Sequence, residues 1–152
     1  MKQITLTLIL MVSGLIGFAQ NKDESAIRKT VETEIKDFHT NSNRKMIYSN
    51  SWQLQPETRW VSTGLGGNVL FLTSDDIKKA IANNFIPPAD SATFTFSNFV
   101  VKASGKVGWA TYDDKSVTPD GNISYWHQFR LLEKVGGTWK IISGGLHQYK
   151  QQ

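Results

Sequence analysis

The groups with the chemistry to bind or catalyse in this 152-residue chain are two adjacent acids, Asp113-Asp114, three scattered histidines and an arginine set among aromatics. The acids fall within a run, Lys106 to Lys115, that reads as a β-strand. Successive strand residues face opposite sides, so one of Asp113 and Asp114 points inward if that strand is buried. A carboxyl buried there has a raised pKa and is a candidate general base. The competing reading is a solvated pair near a turn, since Lys115 and Ser116 follow at once. The three histidines stand at positions 39, 127 and 147 without a close-spaced ligand motif, and there is no cysteine, so neither a metal site nor thiol chemistry is expected. No cofactor is expected either. Gly64-Leu65-Gly66-Gly67 does not join a strand to a helix in a βαβ unit, and Ser143 lacks the context of a nucleophile elbow.

Further candidates emerge from the last hairpin. If Gly136-Gly137 is a two-residue turn, Val135 opposes Thr138, and the pairs that follow are Lys134 with Trp139, Leu132 with Ile141, Arg130 with Ser143, Gln128 with Gly145 and Trp126 with His147. That register puts Trp126, Gln128, Arg130, Ser143 and His147 on one polar and aromatic face, as a ligand pocket requires, and leaves His127, Phe129 and Leu131 on the other. Trp60, Trp109 and Tyr112 are candidates for the same wall, although large aromatics on strands also serve as core. Arg130 admits two other readings, an exposed strand arginine or the partner of a carboxylate such as Glu34. His147 is a candidate base or an ordinary half-buried histidine, and His127 reads as structural. His39 closes a helix, where the negative end of the dipole favours it.

Helices come first and strands last among the elements that position these groups. Asn21 and Glu24 have capping-box spacing, and Ile27, Val31, Ile35 and Phe38 recur as one helical stripe. The run from Thr40 to Asn43 breaks the pattern, and a turn or short helix through Met46 to Trp52 follows. Arg59 to Ser62 and Val69 to Leu72 read as short strands. Ser74 is placed as the cap of a second helix with Asp75 and Asp76 in its first turn and Ile77, Ala80, Ile81 and Phe85 as its stripe, stopped by Pro87-Pro88. From Ala92 the period becomes two. Phe94 and Phe96 have one parity and Phe99, Val101 and Ala103 the other, so a bulge near Ser97-Asn98 is expected to keep all five inward. Strands through Lys106 to Lys115, Ser124 to Val135 and Thr138 to Tyr149 complete a meander, with Pro119-Asp120-Gly121 as a turn.

Export is expected from the start of the chain. Lys2 precedes an apolar run from Ile4 to Ile16, and Gly17-Phe18-Ala19 sets small residues where a signal peptidase cleaves. The run is shorter than the ~20 residues a membrane span needs, so residues 1–19 are expected to be removed and 20–152 to form one domain, periplasmic or extracellular, with no membrane attachment after cleavage. Without disulfides, packing must hold that domain, and five Trp, eight Phe and four Tyr supply the bulk. A net charge of +4 is dispersed along the chain, which argues against nucleic acid as a partner.

Helix-first order, a closing meander and the segment Phe129-Arg130-Leu131-Leu132-Glu133-Lys134-Val135-Gly136-Gly137-Thr138-Trp139-Lys140-Ile141 resemble the nuclear-transport-factor-two-like superfamily, in particular its SnoaL-like and ketosteroid-isomerase-like branches. Trp139, Lys140, Ile141 and His147 match the family's ending. His147 lies further beyond Trp139 than in the commonest form, which marks Gly144-Gly145 as an expected bulge. The resemblance implies an α+β fold, a cone-shaped curved antiparallel sheet with helices packed on its concave face, around a pocket for small apolar molecules, and a homodimer formed through the sheet. It also places Arg130 where scaffold members of the superfamily carry a pocket arginine. Two functions are consistent with it. One is an exported binding or accessory domain whose ligand is a small apolar organic molecule bearing an anionic or carbonyl group. The other is an isomerase, dehydratase or cyclase with His147, Asp113 or Asp114 as base and Arg130 stabilising an oxyanion. On either reading Trp139 is expected to anchor the fold, and Arg130, facing a water-filled cavity, to contribute little to stability.

Overall fold

The computed structural model describes residues 22–38, 50–82 and 92–150. The signal segment, the Asn21 cap, His39, the break after it, most of the segment from Met46 and the helix stop at Phe85 to Pro88 lie outside those residues. Helix α1 spans 22–38 and carries the stripe the spacing predicts: Ile27, Val31 and Ile35 are buried and Phe38 packs against the same cluster. Six strands follow, β1 (Arg59–Thr63), β2 (Val69–Thr73), β3 (Thr93–Ser104), β4 (Val107–Val117), β5 (Ile123–Val135) and β6 (Thr138–Tyr149), with helix α2 (Ser74–Ala82) between β2 and β3. They form one curved sheet in the order β2-β1-β6-β5-β4-β3, and the architecture is α+β.

One junction departs from the expected antiparallel plan. Strand β6 offers its free edge to β1 in parallel, Trp60 opposite Gly144 through Thr63 opposite His147, and to a parallel bridge between Trp52 and Ile141. Gln53 donates to the Ile141 carbonyl at 2.9 Å and Ile141 to that of Ser51 at 2.7 Å, so two successive segments share the edge of one long strand.

Helix α1 lies on the inner face of β4, β5 and β6, over Ala110, Tyr112, Leu132, Trp139 and Ile141. At its start Asp23 accepts from Lys134 Nζ at 2.6 Å and Trp139 Nε1 at 3.1 Å, and those hydrogen bonds hold its carboxyl below the usual range. Gly108 is required beneath the helix, because a Cβ there would stand 2.3 Å from Ile27 Cδ1 and 2.9 Å from the Lys102 carbonyl oxygen, which as backbone cannot easily yield.

The meander is shaped by its turns. Gly136 and Gly137 have φ of 57° and 83°, the two left-handed positions that a tight hairpin turn between twisted strands demands. In β3 the register shifts between Ser97 and Val100, Asn98 takes φ 53°, and Phe94, Phe96, Phe99, Val101 and Ala103 all turn inward, as the parity change predicts. Helix α2 is capped one residue earlier than expected. Thr73 Oγ1 accepts from Asp76 N at 3.4 Å while the Asp76 carboxylate accepts from Thr73 N at 3.0 Å, a reciprocal box that leaves Ser74 inside the helix.

Candidate functional site

The inner face of β4 and β5 carries Tyr112, Asp114, Gln128 and Arg130, all buried, and α1 lowers Glu34 onto them. Glu34 lies three residues after Val31 on the apolar stripe, so the same periodicity that buries Val31 buries this carboxylate. It meets Arg130 side on. Nε and Nη2 of Arg130 donate to Glu34 Oε2 at 3.3 and 3.2 Å, and Nη2 also reaches Oε1 at 3.3 Å. Trp52 Nε1 adds a hydrogen bond to Oε1 at 3.3 Å. The remaining donors of Arg130 go to the carbonyls of Phe129 at 3.0 Å and Gly145 at 3.5 Å and to Gln128 Oε1 at 3.1 Å. Its guanidinium lies over the rings of Trp60 at 4.6 Å and Tyr112 at 5.6 Å. Gly144 makes the stack possible: a Cβ there would come within 3.0 Å of Arg130 Cδ and 3.2 Å of Trp60 Cζ3.

Gln128 joins this ion pair to Asp114. Its amide oxygen takes donors from Arg130 and, at 3.4 Å, from Tyr112 Oη, so its nitrogen must be the atom that donates to Asp114 Oδ2 at 3.1 Å. The other oxygen, Asp114 Oδ1, is buried and has no hydrogen-bond partner among the described residues. Burial pushes the Asp114 carboxyl up to about 6, against the opposing pull of the Gln128 hydrogen bond and the Arg130 charge. Burial likewise pushes the Tyr112 hydroxyl up, so it acts as a neutral donor. Asp114 is bracketed across the sheet by Phe96 on β3 and Trp126 on β5. Phe96, stacked on Phe94 and edge-on to Tyr112, also belongs to the wall of an open groove of about 480 Å³ between β3 and α1, lined by Phe94, Phe99, Ile35, Arg28, Glu32 and Lys36.

The structure divides the predicted residues between the two faces. Trp60, Tyr112, Asp114, Trp126, Gln128 and Arg130 share the inner face, and of the paired acids it is Asp114 that points inward. Ser143, His147, Asp113 and Trp109 do not join them. The cause is a bulge at Ile142, two residues earlier than Gly144-Gly145: Leu132 opposes Ile141 but Leu131 opposes Ser143, so every later pair shifts by one and His147 faces His127 instead of Trp126. Ser143 Oγ accordingly donates to the Arg59 carbonyl at 2.8 Å on the outer side. Trp109 pairs with Leu131 on that face and is partly exposed. Asp113 accepts from His127 Nδ1 at 2.8 Å and Asn98 Nδ2 at 2.6 Å, and although burial opposes ionisation these bonds hold its carboxyl below the usual range. Arg130 is the partner of Glu34, not a free anion anchor. Two residues that the sequence reading left out of the site belong to it: Phe96, and Glu34 as a full member.

No family model matches the chain, and no curated protein matches it. Solved structures do. An NTF2-like protein of unknown function from Pseudomonas putida superposes with TM-score 0.68 at 12% identity, over 87% of this chain and 90% of that one. A proposed ketosteroid isomerase from Parabacteroides distasonis superposes at 0.57 with 15% identity, over 79% and 86%. A proposed dehydratase of the NTF2-like family from Streptomyces avermitilis gives 0.63 at 13%, over 86% and 99%.

Proposed function

From a chain with the nuclear-transport-factor-two-like fold, we propose an exported small-molecule-binding domain in which Asp114 is the polar anchor of an aromatic-walled inner site. The observation that carries this is Asp114 Oδ1, buried without a partner beside an oxygen that Gln128 holds in place. An unsatisfied buried acceptor costs about 1–3 kcal/mol, and a ligand that meets it recovers that loss. Around neutral pH the carboxyl is available in both forms, accepting a hydrogen bond when ionised and donating one when protonated. The ligand class that suits it is apolar with a carbonyl or hydroxyl group. An anionic ligand fits poorly, because Glu34 already neutralises Arg130. Titrating tryptophan fluorescence with a panel of apolar ketones, alcohols and carboxylates tests this. Ketones or alcohols should saturate the wild type, and Asp114→Ala should weaken them about tenfold, one hydrogen bond's worth. Binding indifferent to Asp114, or confined to carboxylates, overturns the reading.

A second reading is favoured by the same carboxyl. A buried acid pushed up to about 6 is tuned for proton transfer near neutrality. If the chain is an isomerase or dehydratase, Asp114→Asn abolishes kcat and leaves KM nearly unchanged. Export and a homodimer belong to the proposal as well. Intact mass of secreted material, expected to start at Gln20 or Asn21, and sedimentation at twice the chain mass check them.

A further inference from the structure

The outer face holds a cluster that the inner site does not use. The shift at Ile142 sets His127 and His147 directly opposite each other on β5 and β6. Residues so opposed in an antiparallel pair have Cβ atoms about 4.5–5.5 Å apart, close enough for two imidazole nitrogens to sit at about 2.0–2.1 Å from one cation. The tautomer of His127 suits this. Its Nδ1 lies 2.8 Å from Asp113 Oδ1, and a carboxylate only accepts, so Nδ1 carries the hydrogen and the lone pair of the neutral ring is at Nε2.

Asp113 is itself held. Asn98 Nδ2 donates to its other oxygen at 2.6 Å from a bulge residue with φ 53°, the left-handed conformation that asparagine tolerates better than most residues. The order of orientation is therefore bulge, Asn98, Asp113, His127. A carboxylate behind a histidine, fixing its tautomer and raising its basicity, is the outer-shell arrangement of metal-ligating histidines. The His127 side chain is about half exposed, with 53% of its surface accessible, and His147 is exposed, so both are open to a cation.

We infer that His127 and His147 form a two-imidazole site for a zinc or copper ion, with Asp113 as positioning residue and solvent or an external donor completing the coordination. Imidazole donors favour these ions over magnesium and calcium, which take oxygen ligands. Among the described residues no group of three or more His, Asp or Glu ligands gathers, so the site is open and exchangeable, unlike a closed structural one. Neither linear spacing nor a motif reveals it, because the two ligands meet only through the hairpin register.

The test is calorimetric titration of the mature, untagged chain with zinc and copper chlorides in a non-chelating buffer, alongside magnesium chloride. One zinc or copper ion per chain should bind, and magnesium should not. His127→Asn and His147→Asn should each weaken binding by more than tenfold, and Asp113→Asn by about 10–100-fold. His127 and His147 are exposed and Asp113 is half-buried, and circular dichroism of each variant verifies that the fold persists. Absence of saturable binding in the wild type overturns the site, as does binding that survives loss of either histidine or depends instead on His39. Unchanged affinity in Asp113→Asn overturns the positioning role.

Discussion

Strand β4 turns Asp113 outward and Asp114 inward, and the two faces treat the same carboxyl group in opposite ways. Asp113 has both oxygens hydrogen-bonded, by His127 and Asn98, and those bonds overcome its partial burial and keep it below the usual range. Asp114 has one oxygen satisfied and one bare in a drier setting, and burial raises it to about 6. The next strand repeats the contrast: Arg130 is enclosed by Glu34, Gln128 and two aromatic rings, while its neighbour Phe129 is left partly exposed. The inner face buries charge and polarity and must satisfy each group or pull on its pKa. The outer face keeps its charges wet and its apolar side chains only half covered. Inner substitutions should therefore cost far more than outer ones.

The largest effect is expected at Glu34. Its removal leaves the buried Arg130 guanidinium without its counter-ion, and breaking one side of a buried pair costs about 3–5 kcal/mol. Urea unfolding of Glu34→Ala should show a loss of that size, comparable with truncation of the buried Trp139, and Arg130→Ala should match it. The sequence-based expectation that Arg130 contributes little to stability assumed a water-filled surrounding, and the closed shell around the guanidinium removes that assumption. Replacing both partners together, Glu34→Leu with Arg130→Met, should restore much of the loss, since a packed apolar pair avoids the desolvation that an ion pair must overcome. A double variant as unstable as the singles would mean the pair is fixed by its hydrogen-bond network more than by its charges.

A smaller effect of opposite sign belongs to Asp114. Its folded-state pKa of about 6 lies above the ordinary 3.8, so the folded protein holds the proton more tightly than the unfolded chain. The sign follows from linkage: this stabilisation is fully present below about pH 4, declines as pH rises, and is lost above about 6. Asp114→Asn resembles the neutral form at every pH. It should match the wild type near pH 4 and exceed it at pH 7 by about 2 kcal/mol, roughly two thirds of the full conversion of the shift. Wild-type and Asp114→Asn curves that fail to diverge between pH 4 and 6 would show that the carboxyl is not dry, since the difference removes the opposite slopes of Asp113 and Asp23.

Much of this was legible in the chain. The helical stripe of α1, the β3 bulge and the Gly136-Gly137 turn follow from local periodicity and turn chemistry, and the structure has each of them. Glu34 as a partner for Arg130 was legible because a charge on an apolar stripe needs an opposite charge to be buried. The inward side of β4 is less legible, because Trp109 and Tyr112 have opposite parity and both are candidates for the inner wall; burial of Tyr112 decides it and carries Asp114 inward with it. What could not be read was the bulge at Ile142. It arises where β6 exchanges its partner from the Trp52 segment to β1, a tertiary event with no local signal, and a one-residue shift moves His147 and Ser143 to the opposite side. The parallel β1 edge escaped for the same reason.

The smallest effect is expected at Phe129, and it tests the outer face most directly. Phe129 lies in a row across the sheet with Phe71, Val61, Gly145 and Thr111, and 41% of its surface is exposed. Threonine suits a half-buried strand position and matches the Thr111 it opposes, so Phe129→Thr keeps backbone pairing and loses only part of an already solvated ring. In an isolated chain urea unfolding should shift by no more than about 0.5 kcal/mol, as for surface positions in general. In a homodimer formed through this face the ring would be covered by the second copy and the same substitution would act as a core truncation. The loss should then grow with protein concentration and sedimentation should show dissociation, because association adds to apparent stability by mass action. A small, concentration-independent change leaves the outer face to solvent and moves the homodimer to another surface.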